Sequence, residues 1–185
     1  MAPAEPAARM RRVAVFGNAG GGKSTLARRL AELTGLPLHV IDMMQFRPGG
    51  AAIPHDEYLA AHADLLGRDE WIIDGFGSAA SAWERFAAAD TLVYVDLPLL
   101  THYRWVTKRF VKGLFASPPG WPEGSPLWAS TWSGYRVIRR CHRTLTPRYR
   151  ALVAEAAPAK RVHHLRSPGE IEGFLRAVER ERQPR

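Results

Sequence analysis

The chain has 185 residues, of which 46% are apolar and 24% are charged, so it can bury one sizeable core and is too short for two. No apolar run reaches the roughly 18–20 residues that span a bilayer, the N-terminus lacks a signal peptide's apolar segment, and the single cysteine excludes an internal disulfide framework. The net charge of +8 predicts an anionic partner, which can be nucleic acid, a membrane surface or a phosphorylated small molecule.

These features predict a cytoplasmic protein without a membrane-spanning segment. We expect a mobile arm over residues 1–11 and a single domain over residues 12–181. Short apolar runs alternate along this domain with segments of helical periodicity. The runs predict strands over residues 13–16, 38–41, 71–73, 91–95 and 161–165. Such alternation is typical of an α/β fold, in which helices cover both faces of a parallel sheet.

Helices are predicted between these strands. They are expected to begin near Lys23 and to cover about 54–68, 99–112 and 127–156. Pro147 is expected to kink or divide the longest of them. Four prolines and three glycines between residues 113 and 126 predict an irregular loop. The last helix follows residues 167–170, whose sequence Ser-Pro-Gly-Glu is a capping box with proline at the first helical position.

Residues 17–24 match the phosphate-binding motif G-x-x-x-x-G-K-[ST] in full, between the first strand and the first helix. Glycines let successive backbone N–H groups converge on phosphate oxygens, and the helix N-terminus adds free donors. Lys23 is placed to reach the β- and γ-phosphates, and the Ser24 hydroxyl to ligate Mg²⁺. The motif therefore predicts a site for ATP and Mg²⁺. Its predicted nucleotide-binding residues are Gly17, Asn18, Ala19, Gly20, Gly21, Gly22, Lys23, Ser24 and Thr25.

Three of the predicted strands lead into an aspartate, at Asp42, Asp74 and Asp96. Ligands of open parallel sheets bind at the carboxyl ends of the strands, so these carboxylates are expected near the phosphate-binding loop. An aspartate there can also cap a helix or form a turn, and capping is expected for at least one of the three. For Asp42 two interpretations stay open, because it either binds the hydroxyl of a phosphoryl acceptor or caps the following turn.

Residues 70–76, Glu-Trp-Ile-Ile-Asp-Gly-Phe, resemble the adenylate kinase segment in which a strand ends in Asp-Gly-Phe-Pro-Arg. Residues 93–98 resemble the next strand of that fold, and residues 104–109 resemble the segment that enters its lid. Over roughly residues 12–180 the chain is more closely similar to the adenylate-kinase-like group known as topology modulation proteins. The resemblance implies a P-loop kinase with a five-stranded parallel sheet in the order 2-3-1-4-5 and a helical lid.

The resemblance also implies roles for individual residues. Asp74 matches the aspartate that orients magnesium and its waters, Arg104 the arginine that lies over the adenine, and Lys108 a later basic residue that contacts phosphate. Arg140 belongs to a second basic helix. With the loop between them, the two basic helices predict a lid around residues 104–143 that excludes water during phosphoryl transfer. The alternative is a pair of solvated basic helix faces, which is expected to account for about half of the arginines on these two helices.

One departure from adenylate kinases concerns the acceptor. Gly77 and Ser78 stand where that family has Pro-Arg, whose arginine binds AMP. Arg47 or Arg85 can supply this contact from nearby segments. The departure predicts a poor AMP kinase, and a carboxylate at the acceptor pocket suits a neutral hydroxyl better than a monophosphate.

We therefore interpret the chain as a phosphotransferase that uses ATP and Mg²⁺ to phosphorylate a small nucleotide or hydroxyl-bearing acceptor. We expect a monomer or dimer that binds no specific nucleic acid. The candidate catalytic residues are Lys23, Asp42, Arg104, Lys108 and Arg140, and the candidate metal ligands are Ser24 and Asp74. The alternative is a nucleotide-binding regulatory protein that binds DNA non-specifically through its basic surface, although the sequence has no helix-turn-helix or zinc-finger pattern.

Overall fold

The computed structural model describes residues 10–47, 51–113 and 127–182, which form five strands and eight helices. The strands are β1 (Arg12–Gly17), β2 (Leu38–Val40), β3 (Trp71–Asp74), β4 (Thr91–Val95) and β5 (Arg161–Leu165). The helices are α1 (Lys23–Thr34), α2 (Ile41–Met44), α3 (His55–Leu66), α4 (Ala79–Ala88), α5 (Leu99–Gly113), α6 (Leu127–Thr144), α7 (Thr146–Ala156) and α8 (Pro168–Arg182). None of these helices is long and apolar enough to cross a membrane.

Two predicted segments fall largely outside the described part of the chain. The predicted irregular loop lies there from residue 114 to residue 126, and so does the predicted arm except for Met10 and Arg11. Met10 is buried against α1 and α8, and the Arg11 carbonyl oxygen accepts a hydrogen bond from the Trp71 N–H at 2.8 Å. The domain boundary at residue 12 stays a prediction.

All five strands are parallel and lie in the order β2-β3-β1-β4-β5, which confirms the predicted architecture. Strand β1 is central, with Val13 paired to Ile72 of β3 on one side and to Thr91 of β4 on the other. The three central strands are almost entirely buried, as expected for a sheet covered on both faces. Because the strands are parallel, β1 and β3 end at the same edge of the sheet, at Gly17 and Asp74.

Alternate residues of the strands pack into two cores, one on each face of the sheet. Val13 packs with α1 and α8, whereas Ala14 and Phe16 pack with α3, α4 and α7. The Phe16 ring centroid lies 4.4 Å from that of Phe86 and 5.1 Å from that of Tyr149. Such offset and edge-on aromatic contacts hold rings in fixed orientations. They anchor the end of β1 just before the phosphate-binding loop.

The structure corrects the predicted elements in two places. Strand β2 ends at Val40, so Asp42 belongs to the first turn of α2 instead of following a strand directly. Helix α4 was not predicted; it begins after Ser78, whose Oγ accepts the Ser81 N–H at 3.2 Å. Ser81 stands at the position where the usual capping box has glutamate or glutamine, so the sequence pattern does not identify the start of this helix. Pro147 was expected to kink or divide the long helical segment. The segment is divided there, into α6 and α7.

A buried histidine lies between α3 and α4. The His62 side chain is fully buried, and neither ring nitrogen has a hydrogen-bond partner among the described residues. Its Nδ1 is 3.8 Å from Glu84 Oε2, which is too long for a hydrogen bond. Burial and the nearby charge of Arg85 lower the pKa of His62 below its ordinary value of 6.5, although Glu84 opposes this. The folded protein therefore resists protonating this ring.

We predict that replacing His62 flattens the pH dependence of stability. Below pH 6.5 the unfolded chain protonates this histidine while the folded chain does not, so the free energy of unfolding falls as the pH decreases. One such group contributes a slope of at most about 1.4 kcal/mol per pH unit. In urea unfolding between pH 5 and 8, His62→Leu should lose part of the wild-type slope. His55→Leu, at an exposed position of the same helix, should keep it. An unchanged slope in His62→Leu contradicts the prediction.

Candidate active site

The phosphate-binding loop joins β1 to α1 and turns at two glycines. Gly20 and Gly22 have φ angles of +70° and +75°, in the left-handed region that glycine adopts without strain. The Gly22 carbonyl oxygen accepts the N–H groups of Thr25 and Leu26 at 3.1 and 3.0 Å, which starts the helix. The side chains of Ser24 and Thr25 are exposed. The loop thus ends in a helix N-terminus, the backbone feature that binds phosphate.

Helix α5 packs directly on this loop. A Cβ atom on Gly21 would lie 2.8 Å from His102 Cε1, and one on Gly22 would lie 2.8 Å from Trp105 Cζ3. His102 is buried, and its Nδ1 lies 2.8 Å from the Ala19 carbonyl oxygen. Burial lowers the pKa of His102, so a neutral ring donates this hydrogen bond. The glycines are therefore required for the close approach of α5 as well as for the shape of the loop.

Helix α6 holds the other side of the loop through Asn18, which is 5% exposed. Its Nδ2 donates a hydrogen bond to the Ile138 carbonyl oxygen at 3.0 Å, and its Oδ1 accepts the Ala19 N–H at 2.7 Å. The phosphate-binding motif allows any residue at this position. The contact with α6 therefore could not be predicted from the pattern.

Lysine and carboxylate side chains meet at the carboxyl edge of the sheet. Lys23 Nζ donates a hydrogen bond to the Asn18 carbonyl oxygen at 2.7 Å. Burial lowers the pKa of Lys23, while the charges of Asp74 and Asp42 raise it. Asp74, the last residue of β3, is 2% exposed, and its Oδ1 is buried without a hydrogen-bond partner in the described part of the chain. A buried carboxylate oxygen of this kind calls for a ligand.

Asp42 binds the turn between β3 and α4. Its Oδ1 accepts the N–H groups of Phe76 and Gly77 at 3.3 and 3.4 Å. The N-cap of α2 is Val40, and no side chain caps this helix. Asp42 therefore does not cap the turn that follows it, and its exposed carboxylate stands at the edge of a cavity.

The third predicted carboxylate has a different role. Asp96 accepts hydrogen bonds from Arg150 Nε at 2.8 Å, Arg150 Nη2 at 3.1 Å and His164 Nε2 at 2.8 Å. Burial opposes ionisation, but these hydrogen bonds outweigh it and lower the pKa of Asp96. The group links α7 to the ends of β4 and β5, and it lies in a different cavity from Lys23. Its carboxylate is used for structure.

Two adjoining clefts border the loop on the side of α1. The first is lined by residues 20–25 together with Arg28, Trp105 and Arg109. The second is an apolar cleft of about 280 Å³ between α1 and α8, and its lining includes Trp105 and Pro168. Trp105 borders both clefts. A long ligand can therefore extend from the loop into the apolar cleft.

A third cavity of about 500 Å³ opens at the carboxyl ends of β1 and β3. Lys23, Asp42 and Arg140 are the charged side chains among its described lining residues. Its apolar walls are formed by Phe16, Phe76, Val137, Leu145 and Tyr149. Its volume is typical of small-molecule sites. The structure thus joins Lys23 and Asp42 in one cavity.

The predicted lid cations separate into two groups. Arg140 lines the third cavity, whereas Arg104 and Lys108 are exposed and line none of the three cavities described above. The basic residue of α5 that lines the cleft beside the loop is Arg109, one helical turn after Trp105, whereas Lys108 was predicted to contact phosphate. Helical periodicity predicts which residues share a face, but it does not specify which face of α5 meets the loop. The spacing of four between Trp105 and Arg109 is the signal that could have identified Arg109.

Arg85 supports the turn after β3 from behind. It is fully buried, and its Nη2 donates hydrogen bonds to the carbonyl oxygens of Gly75 and Phe76 at 2.8 and 3.5 Å. Burial lowers the pKa of its guanidinium group. Arg47 is exposed and pairs with Glu57 at 2.9 Å. Neither arginine lines the third cavity, so neither takes the place of the missing AMP-binding arginine there.

Comparison with known proteins identifies the fold. No protein-family model matches the chain, and no curated protein matches it significantly. A shikimate kinase from Acinetobacter baumannii, solved in complex with shikimate, matches with a TM-score of 0.60 at 18% identity, covering 91% of this chain and 90% of that one. A shikimate kinase from Bacteroides thetaiotaomicron matches with a TM-score of 0.49 at 12% identity, covering 94% and 98%. The first likeness establishes the P-loop kinase fold; the resemblance to the adenylate-kinase-like group is not confirmed.

We predict that Asn18→Asp destabilises the protein although it preserves the shape of the side chain. The substitution replaces the N–H donor that faces the Ile138 carbonyl oxygen with a carboxylate oxygen, so two oxygens repel each other and a negative charge is buried. The expected loss is about 2–4 kcal/mol in the free energy of unfolding at pH 7. Asn18→Ala, which adds no charge, should cost less. Equal stabilities of the two variants in urea unfolding would argue against the contact with α6.

Proposed function

We propose that the protein is an ATP-dependent phosphotransferase that transfers the γ-phosphoryl group to a hydroxyl of a small acceptor. One observation carries the proposal: Lys23 of the phosphate-binding loop and the carboxylate of Asp42 line the same cavity. The loop supplies a place for the phosphoryl donor, and Asp42 supplies a group that can accept a proton from an attacking hydroxyl. The P-loop kinase fold supports this assignment.

ATP has room along the two clefts beside α1. We place its phosphates in the cleft of residues 20–25, where Arg28 and Arg109 add positive charge. The base fits the apolar cleft between Trp105 and Pro168, since an aromatic ring beside an apolar wall suits a planar base. Arg104 was expected over the adenine, but it lines neither cleft, whereas Trp105 lines both and suits this contact.

The residues present suit Mg²⁺. The buried, unpartnered Oδ1 of Asp74 is a hard oxygen ligand at the carboxyl end of β3, and the Ser24 hydroxyl is exposed at the start of α1. We propose that these two residues hold the ion, directly or through water. When bound, it would neutralise charge on the β- and γ-phosphates.

The chain's own groups carry the transfer. The acceptor oxygen attacks the γ-phosphorus, the bond to the oxygen bridging the β- and γ-phosphates breaks, and ADP leaves. Asp42 takes the hydroxyl proton, and the N–H groups of Phe76 and Gly77 hold its carboxylate in place. Lys23 and Arg140 stabilise the charge that develops on the transferred group.

The alternative function, a nucleotide-binding regulator of DNA, has no support in the comparisons. The solved structures reported above are both kinases. The basic surface alone supplies only sequence-independent attraction to DNA. We therefore do not extend the proposal to nucleic acid.

Replacing Lys23 tests the proposal. Lys23→Met should remain folded and lose on the order of 10²–10³-fold in kcat/KM for ATP, because a preorganised charge at the transferred phosphoryl group is removed. ADP release in a coupled assay measures the loss. Arg176→Met removes an exposed cation of α8 and should leave the rate unchanged. Unchanged turnover in folded Lys23→Met would refute the proposed function.

AMP should be a poor acceptor. Ser78 stands where adenylate kinases have their AMP-binding arginine, and here its side chain caps α4. A charge-assisted contact of this kind contributes about 1.5–3 kcal/mol, so its loss should reduce acceptor binding by roughly tenfold to a hundredfold. The measurement is kcat/KM for AMP against a panel of hydroxyl-bearing acceptors. If AMP is the best acceptor of the panel, Asp42 is structural and the hydroxyl-acceptor assignment is wrong.

A further inference from the structure

The cavity that contains Lys23 and Asp42 has a polar end and an apolar body. Its apolar walls are the five side chains named above, from β1, the β3–α4 turn, α6 and α7. Phe16 and Tyr149 are almost fully buried, and their ring centroids lie 5.1 Å apart in an edge-on arrangement. This wall is rigid before any ligand binds, because close-packed aromatic rings have fixed orientations. A ligand that fills the cavity must cover apolar surface.

The two cations of the cavity stand close to the phosphate-binding loop. Lys23 and Arg140 line this cavity together with Cys141 and with Gly17 and Ala19 of the loop. Lys23 belongs to the loop itself. The proposed function assigns Arg140, like Lys23, to the transferred phosphoryl group, and on that assignment neither cation binds a second anion on the acceptor.

The acceptor end carries negative charge. Asp42 lines the cavity and is held by the turn after β3. A phosphate or carboxylate on the acceptor would lie near this carboxylate and be repelled, with no further described cation lining the cavity to compensate. A neutral hydroxyl, in contrast, can donate a hydrogen bond to Asp42.

From these observations we infer that the acceptor is an uncharged molecule with a planar aromatic ring, whose faces are apolar, and a hydroxyl-bearing arm, the chemistry of a nucleoside. The ring covers Phe76, Val137 and Leu145, and the arm brings its hydroxyl to Asp42. This inference rests on the proposed function and names the class of acceptor for the same site. It excludes monophosphates and polyhydroxylated acids as preferred acceptors.

An acceptor panel tests the inference. The purified chain is incubated with ATP and Mg²⁺ and with three groups of compounds: nucleosides, their 5′-monophosphates, and non-aromatic polyhydroxylated acids such as shikimate. Phosphorylated products are identified by mass spectrometry. We expect kcat/KM for at least one nucleoside to exceed that of every compound in the other two groups by tenfold or more. A monophosphate or an acid as best acceptor overturns the inference, and so does the absence of transfer to every nucleoside.

Two valines of equal exposure provide matched variants. Val137 and Val111 are both 47% exposed on helices, but only Val137 is among the lining residues of the cavity. Val137→Ser should raise KM for the best nucleoside about threefold to tenfold, because apolar contact is lost, while kcat stays within twofold. Val111→Ser should change neither constant. Equal effects of the two substitutions, or no effect of Val137→Ser, count against the ring-binding wall.

The outcomes separate this inference from the proposed function. If turnover of ATP depends on Lys23 and the preferred acceptor is an anion, the phosphotransferase assignment stands and the acceptor class is wrong. If Lys23→Met turns over ATP as fast as the wild type, the proposed function fails first. Titration of ATP and Mg²⁺ by calorimetry, without any acceptor, shows whether the phosphate-binding loop is functional in the preparation used.

Discussion

A hydrogen bond between the His102 ring and the Ala19 carbonyl oxygen attaches α5 to the phosphate-binding loop, and the rest of the site is arranged around this contact. It requires that the helix come within van der Waals distance of the loop backbone, which Gly21 permits. On the other side, Asn18 attaches the loop to α6. The two helices thereby present Arg109 and Arg140 to opposite sides of the loop. The phosphate-binding loop and helices α5 and α6 form one connected unit.

The cavity of Lys23 and Asp42 depends on a second turn, between β3 and α4, that is held from both directions. Its carbonyl oxygens accept hydrogen bonds from Arg85, and its N–H groups donate to Asp42. Burying a guanidinium group without a carboxylate partner costs several kcal/mol unless backbone dipoles offset it. This buried guanidinium group lies next to the edge of the sheet where β3 ends, at Asp74. The turn orients Phe76 toward the cavity and leaves the Asp42 carboxylate at its rim.

Local patterns in the sequence were sufficient for the parallel sheet and the phosphate-binding loop, and the resemblance to adenylate-kinase-like proteins supplied the order of the strands. Local patterns did not suffice where the outcome depends on packing between distant segments. The structure places Arg109 in the cleft beside the loop, because the contact of Trp105 with Gly22 sets which face of α5 meets the loop, and the roles of Arg104 and Lys108 stay predictions. The three strand-end carboxylates look alike in sequence, yet Asp96 is engaged by Arg150, which is 54 residues away. Arg85 was noticed as a possible acceptor contact, and its burial behind the turn could not be read from its neighbours.

The packing of His102 on Gly21 also has an evolutionary consequence. Gly21 does not have the left-handed backbone of Gly20 and Gly22, so neighbouring atoms exclude a side chain there: the histidine ring, 2.8 Å from a hypothetical Cβ, and the Asn18 carbonyl oxygen at 3.3 Å. An alanine at position 21 becomes acceptable only if the residue at position 102 shrinks, and then the hydrogen bond to Ala19 is lost. The two positions are therefore epistatic. Sequences that have lost the glycine should have lost the histidine as well, and the order of the two substitutions decides whether the intermediate folds.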